Sequence, residues 1–172
     1  MEAPSIRPRL TADPIDLAVD NWRRSGWTDA ADGMAAVTSV MRVQQLFLAA
    51  VEDALAPFGL SFARYEVLML LSFSRQGSLP AGKIGERLQV HAASVTNALN
   101  RLQRSGYVDR TRDADDGRIL LASITDAGRS VAQRSTETLN RDVFESLPMS
   151  TADVRRLRSV TTRVRQVLGD FP

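Results

Sequence analysis

The chain has 172 residues, of which 44% are hydrophobic and 24% charged, a balance typical of a soluble globular protein. The formal net charge of +2 is too small to argue by itself for a nucleic-acid partner. Cysteine is absent, which excludes disulfides and thiolate chemistry. The sequence predicts neither a secretory leader nor an apolar run long enough to span a membrane, so we expect a cytoplasmic protein.

The basic residues are almost all arginine, with Lys83 as the single lysine. Genome base composition explains such a skew as readily as function does. Arginine is nevertheless the better side chain for phosphates and guanines, because its planar guanidinium donates parallel hydrogen bonds. The distribution of the arginines along the chain therefore matters more than the net charge.

Two helices are predicted first. Asp13 and Pro14 are typical of an N-cap and a first helical position, and Gly26 ends this short helix. A long helix follows from about Gly33 to Ala56. The apolar stripe of the first helix consists of Ile15, Ala18, Val19 and Trp22.

Three further helices follow. Ser61 caps a segment, 62–73, that is apolar nearly all round and predicts a central buried helix. Pro80 begins a short helix, and another runs from just after Val90 to Gly106. The inward stripe of that fifth helix is predicted to be Val95, Ala98, Leu99 and Leu102.

Strand-like segments 107–112 and 119–124 flank an acidic turn and predict a hairpin. Thr125 then begins a helix to about Leu147, and Ser150–Asp153 form a capping box for the last helix. That helix carries an apolar stripe of Val154, Leu157, Val160, Val164 and Val167.

Two short helices joined by a turn and followed at once by a hairpin are typical of a winged helix-turn-helix. We predict a mainly α fold with a small β-hairpin wing. The predicted division is residues 1–60 as N-terminal dimer helices, 61–124 as the winged core and 125–172 as C-terminal dimerisation helices. The striped helices outside the core must be buried against something, and a second copy is the simplest partner.

The outward face of the fifth helix predicts contacts with double-stranded DNA. Asparagine can bond adenine and arginine can bond guanine or phosphate, while small residues let the helix N-terminus approach the groove. A plain solvated helix face is the alternative. The predicted contacts on this helix are Ala93, Ser94, Thr96, Asn97, Asn100, Arg101 and Arg104.

The hairpin tip carries Arg118 behind a cluster of acids. Asp113, Asp115 and Asp116 would repel phosphates, so we expect them to bond turn amides and hold Arg118 extended, with Gly117 relieving the backbone. Arg118 would then contact a phosphate or the narrow minor groove. A salt bridge to a neighbouring acid is the alternative. Arg110 and Arg112 on the stems are predicted to lie over the DNA backbone.

These residues resemble the MarR family of winged-helix regulators. The family's wing pattern, Asp-x-x-Asp-x-Arg and later hydrophobic-Thr-x-x-Gly, is present as Asp113, Asp116, Arg118 and the segment 124–128. Residues 90–108 are similar to its recognition-helix segment, ending in Leu102, Gly106 and Val108. The resemblance covers the chain from about residue 34 and implies a homodimer that binds a palindromic operator, usually as a repressor.

The additional N-terminal helix is similar to that of a urate-responsive branch of the family, in which a tryptophan, an acid and an arginine are linked to ligand. Trp22 and Glu66 match the first two, but Ala98 stands at the arginine position. We therefore expect that urate is not the effector. Trp22, Phe62, Tyr65 and Glu66 are the predicted ligand residues for a small aromatic or lipid-like effector. The alternative for Trp22 is that it pins the additional helix to the dimer.

An enzyme is not expected. His91 is the only histidine, and we predict that it caps the fifth helix or contacts phosphate. No cofactor, metal site or catalytic residue is predicted. The rival function is a winged helix that binds protein without binding DNA, which salt-dependent DNA affinity would distinguish.

Overall fold

The computed structural model describes residues 11–113, 116 and 118–172, so the predicted roles of Asp115 and Gly117 lie outside the described residues. Within this part the chain forms seven α-helices and three short strands. The helices are α1 (Pro14–Arg24), α2 (Thr28–Leu55), α3 (Phe62–Phe73), α4 (Ala81–Leu88), α5 (Ala92–Arg104), α6 (Asp126–Leu139) and α7 (Thr151–Val167). The strands are β1 (Ser78–Pro80), β2 (Val108–Arg112) and β3 (Leu120–Ile124).

The chain divides into two compact units, Met1–Asp53 and Ala54–Pro172, and each is described by itself. In the first unit the Asp13 carboxylate accepts the Ile15 N–H at 2.9 Å, which confirms the predicted cap of α1. Trp22 and Trp27 meet edge to face, with ring centroids 5.2 Å apart. The division of the chain by role, with boundaries after residues 60 and 124, stays a prediction.

α2 begins at Thr28, several residues before the predicted start at Gly33. Asp29 lies in the first turn, where a negative charge is favourable at the helix N-terminus. Gly33 lies inside the helix, and a side chain there would meet nothing within 4 Å, so packing does not require glycine at this position.

The segment Thr28–Phe58, which comprises α2 and the 3₁₀ turn after it, is long and apolar enough by composition to cross a membrane. The expectation that no segment reaches this length is therefore wrong, because Arg42 is the only charge between Asp32 and Glu52. One such helix is weak evidence for a membrane, since helices that pack against protein pass the same test. In the isolated chain the helix instead presents an uncovered apolar surface.

The core of the second unit lies between α3, α4, α5, the sheet and α6. The Tyr65 hydroxyl lies 3.0 Å from the Thr136 hydroxyl and ties α3 to α6. α3 buries Tyr65, Val67, Leu68 and Leu71 in this core, as expected of a central buried helix, although Phe73 at its end is 79% exposed. The fully buried side chains include Leu55, Leu68, Leu71, Ile84, Leu99, Leu102, Val108, Val131 and Leu139.

The predicted hairpin is the larger part of a three-stranded antiparallel sheet with strand order β1-β3-β2. The short strand β1 was not predicted, because three residues ending in Pro80 give no alternating pattern. It pairs with β3 in the register Ser78↔Ser123, and the two hydroxyls of that pair lie 2.9 Å apart. β2 pairs with β3 from Val108↔Ile124 to Arg112↔Leu120.

Several hydrogen bonds connect the junction between β3 and α6 to the turn after α5. The Thr125 hydroxyl donates to the Gly106 carbonyl at 2.7 Å and accepts the Gly128 N–H at 3.0 Å. The Thr125 N–H donates to the Tyr107 carbonyl at 3.1 Å. A Cβ on Gly128 would collide with that same Tyr107 oxygen, so only glycine allows this approach. The hydrophobic-Thr-x-x-Gly pattern therefore has a structural cause.

The predicted helix to Leu147 is shorter. α6 ends at Leu139 and continues as a wide turn, Asn140–Phe144, whose last bond joins the Glu145 N–H to the Asn140 carbonyl at 2.8 Å. Ser150 then caps α7 by accepting the Asp153 N–H at 3.2 Å, as predicted. The stripe from Val154 to Val167 is exposed in the isolated chain, so α7 also lacks a partner for its apolar face.

We predict that Gly128→Ala lowers the free energy of unfolding by about 1–3 kcal/mol, because the added methyl group overlaps the Tyr107 carbonyl. Urea denaturation at one fixed protein concentration measures the change. Gly82→Ala is the matched control, since its Cβ meets nothing within 4 Å and alanine favours the helix. Equal stabilities of the two variants would contradict the close approach at Gly128.

Candidate nucleic-acid interface

α4 and α5 are joined by a tight turn. Gln89 adopts the left-handed conformation (φ 54°, ψ 41°), and the Val90 N–H donates to the Gly85 carbonyl at 3.1 Å. A Cβ on Gly85 would lie 3.2 Å from the Val90 carbonyl oxygen, so a small residue is needed there. His91 caps α5, because its Nδ1 accepts the Ala93 N–H at 3.2 Å. The helix-turn-helix predicted from the sequence is present.

α5 has one buried and one open face. Its buried residues are the four predicted ones, Val95, Ala98, Leu99 and Leu102. Asn100 is half-buried, whereas the other predicted contacts on this helix are exposed. The exposed ones are Ala93, Ser94, Thr96, Asn97, Arg101 and Arg104.

The open face of α5 is cationic and rich in hydrogen-bonding groups. The helix contains two arginines and no acidic residue. The Arg101 Nε donates to the Asn97 amide oxygen at 3.4 Å, and the Thr96 hydroxyl donates to the Ala92 carbonyl at 3.0 Å. These side chains are positioned by their own helix, which suits a surface that must keep its shape when it meets a partner.

The wing is fixed to α5 by a contact that the sequence did not reveal. The Arg110 Nε on β2 donates to the Gln103 side-chain oxygen at 2.7 Å. Arg110 is half-buried, whereas Arg112 at the end of β2 is exposed. A glutamine on a helix and an arginine on a strand carry no pairing signal, and only the fold brings them together.

At the tip of the wing the acids bond the backbone. The Asp113 carboxylate accepts the Asp116 N–H at 3.0 Å, and the Asp116 carboxylate accepts the Arg118 N–H at 3.0 Å. The Asp113 N–H closes the turn on the Ile119 carbonyl at 2.9 Å. Arg118 is exposed, and no ion pair joins its guanidinium to an acid within the residues that the structure describes.

The residues predicted to hold an effector are divided between the two units. Trp22 belongs to the first, whereas Phe62, Tyr65 and Glu66 belong to the second. The rings of Phe62 and Tyr65 stack with centroids 6.4 Å apart. Burial raises the pKa of the Glu66 carboxyl, which is half-buried on the same helix. The predicted ligand site therefore stays a prediction.

Known proteins share this arrangement. The family model described as MarR family matches residues 58–119. The transcriptional regulator SarZ of Staphylococcus epidermidis is 30% identical over 105 residues, which cover 61% of this chain and 69% of SarZ. The crystal structure of Sco5413, a MarR family transcriptional regulator from Streptomyces coelicolor, is 44% identical with a TM-score of 0.75. That match covers 81% of this chain and 97% of Sco5413.

The chain belongs to the MarR family. It is a DNA-binding transcriptional regulator with a winged helix-turn-helix, as the sequence predicted. A MarR mutant from Escherichia coli, solved in complex with operator DNA, has the same fold at 19% identity and a TM-score of 0.71. The match covers 78% of this chain and 96% of that one.

We predict that Arg118→Ala leaves the free energy of unfolding within about 0.5 kcal/mol of wild type, as expected for an exposed residue. DNA affinity should fall, and the slope of log K against log salt should become shallower by roughly 1 if one phosphate contact is lost. Asp116→Ala should also weaken DNA binding, although it removes a negative charge, because the Arg118 N–H loses its acceptor.

The control for the charge is Asp109→Ala, which removes an exposed acid from β2 without touching the turn. Titration of a labelled duplex at several salt concentrations measures all three variants. If Asp116→Ala binds DNA more tightly, as Asp109→Ala is expected to do, then the wing acids act only through their charge.

Proposed function

We propose that this MarR-family protein binds a palindromic operator as a homodimer and represses transcription. α5 would enter the major groove and Arg118 would contact a phosphate or the minor groove of the flanking DNA. In this proposal the predicted residues of α5, among them Asn97, Asn100 and Arg104, contact bases and phosphates. The predicted division by role, with a winged core from 61 to 124, belongs to it as well.

The observation that carries the proposal is the separation of charges in the wing. The carboxylates of Asp113 and Asp116 accept backbone N–H groups of the turn, while the guanidinium of Arg118 at the tip is exposed. This arrangement gives no advantage to a hairpin that contacts only water. It favours binding where the hairpin contacts the phosphates of DNA.

The exposed apolar faces support the homodimer. On α2, Val37, Val40 and Met41 are each close to 60% exposed, and Val160 and Val164 on α7 are about half exposed. Surfaces of this kind are rarely left open in water. A second copy offers the same stripes and gives a two-fold assembly whose symmetry fits a palindromic site.

We also propose release from DNA by a small aromatic or lipid-like effector, with Trp22, Phe62, Tyr65 and Glu66 as the ligand residues. An effector can release DNA only if it binds one form of the dimer more tightly than the DNA-binding form. In that favoured form the two wings would be spaced wrongly for the operator. Urate is not expected to act, because Ala98 is a buried core residue and supplies no cation for an anionic ligand.

The proposal includes a cytoplasmic location and no enzymatic activity. A winged helix that binds protein instead of DNA is the alternative, and a protein-binding module has no reason to show strong salt dependence on DNA. Membrane insertion of α2 is a weaker alternative, because Arg42, Gln44 and Gln45 would lie near the middle of the spanning segment.

The test of operator recognition uses a duplex enriched by in vitro selection with the wild-type protein and a scrambled duplex of equal composition. Asn100→Ala should cost about 1–3 kcal/mol on the selected duplex and much less on the scrambled one. Addition of urate should leave both complexes unchanged. Equal losses on the two duplexes would show that Asn100 reads no base, and failure to enrich any duplex would contradict sequence-specific binding.

The homodimer predicts a particle of about twice the monomer mass of 18.9 kDa in light scattering at micromolar concentration. Val164→Glu should shift the particle toward the monomer, because it places a charge in the apolar stripe. Arg155→Glu, nine residues earlier and therefore on the opposite side of α7, is the matched control and should remain dimeric. A monomeric wild type would contradict the assembly.

A further inference from the structure

The turn before the recognition helix is conformationally strained. Gln89 is the one non-glycine residue with positive φ in the described part of the chain. Such a residue persists only where its surroundings hold it, and this makes it a candidate for a functional role. The backbone contributes part of the restraint, because the Gln89 N–H and the Val90 N–H both donate to the Gly85 carbonyl.

The side chain of Gln89 contributes the rest. Its Nε2 donates to the backbone carbonyl of Asp170 at 2.9 Å, across 81 residues of sequence. Gln89 and Asp170 belong to the same compact unit. The contact therefore joins the helix-turn-helix to the end of the chain, just beyond α7.

The position of the Asp170 carbonyl is fixed by the cap of α7. Gly169 is left-handed (φ 77°), and the Asp170 N–H donates to the Arg165 carbonyl at 3.0 Å, which is the wide bond of a helix C-cap. The Asp170 carboxylate pairs with the Arg165 guanidinium at 2.5 Å, and that guanidinium lies over the Phe171 ring at 5.1 Å. The left-handed Gly169, the Asp170–Arg165 backbone bond and the Asp170–Arg165 ion pair thus hold the oxygen that Gln89 uses.

We propose that Gln89 and the Asp170 carbonyl form a positioning pair for the recognition helix. Gln89 stands two residues before His91, the cap of α5, so the geometry of its backbone sets the direction in which α5 leaves the turn. The pair acts through α5 and does not itself contact DNA. Through this contact the position of α7, the proposed dimerisation helix, affects the orientation of the proposed DNA-binding helix α5. This inference rests on the proposed function.

The test is a double-mutant cycle on the full dimer. One change is Gln89→Ala, which removes the amide and leaves a side chain that is equally strained at positive φ. The other is a chain ended after Leu168, which removes the Asp170 carbonyl. A chain ended after Asp170 is the matched control, because its terminal carboxylate keeps an oxygen at that position. Gln166→Ala controls for loss of an exposed glutamine near the end of α7.

Affinity for the selected duplex should fall about two- to fivefold in Gln89→Ala and by the same factor in the chain ended after Leu168, as expected for one exposed neutral hydrogen bond. Combining the two changes should cost no more than either alone. Both controls should bind like wild type. If the two losses multiply instead, Gln89 and the Asp170 carbonyl act independently and the positioning pair is wrong.

Hydrogen exchange without DNA gives a second readout that does not depend on the operator. The Val90 amide, bonded to the Gly85 carbonyl, should exchange about two- to fivefold faster in both altered chains. Unchanged exchange in both would overturn the pair whatever the DNA result. Faster exchange with unchanged affinity would overturn its role in DNA binding. Failure of the wild-type protein to bind any selected duplex would instead overturn the proposed function.

Discussion

The hydroxyl of Thr125 joins the turn after α5 to the start of α6 within the winged helix-turn-helix. One oxygen donates to the last carbonyl of the turn after α5 and accepts the N–H of Gly128 in the first turn of α6. The turn after α5, the strand β3 and the helix α6 therefore share one junction. Because Gly128 has no side chain, α6 can approach the Tyr107 carbonyl closely enough for the Thr125 hydroxyl to reach the Gly106 carbonyl.

The wing, which is part of the proposed DNA-binding surface, carries acids that bond its own backbone. A carboxylate facing phosphate would weaken binding, but a carboxylate that accepts backbone N–H groups costs little and stiffens the turn. Asp113 and Asp116 are used in this second way. The Gln103–Arg110 hydrogen bond likewise restrains the wing relative to α5. The proposed DNA-binding surface is consequently shaped in the free protein, and binding would have less conformational entropy to remove.

Most of the fold could be predicted from local signals in the sequence. Caps such as Asp13, Ser61 and Thr125 act within a few residues, so their helix starts can be found without the tertiary structure. The buried stripe of α5 follows from helical periodicity. β1 and the end of α6 could not be predicted in this way, because a three-residue strand exists only through its partner and a wide turn has no sequence pattern.

Less of the candidate site than of the fold could be predicted from the sequence. The exposed face of α5 follows from periodicity, but the long-range contacts Gln103–Arg110 and Gln89–Asp170 depend on tertiary placement. The apolar length of α2 was underestimated because its glutamines and small residues interrupt the run without adding charge. Which residues meet a base, a phosphate or an effector depends on partners that a single chain does not contain.

The uncovered stripes of α2 and α7 have a consequence for how the protein responds to its own abundance. If the reading unit is a pair of identical chains, its concentration rises with the square of the subunit concentration wherever most subunits are unpaired. Occupancy of a promoter would then depend on synthesis more steeply than for a monomeric reader, and dilution by cell growth would lower it disproportionately. The strength of the apolar contact between subunits would thus set the threshold at which a gene is switched.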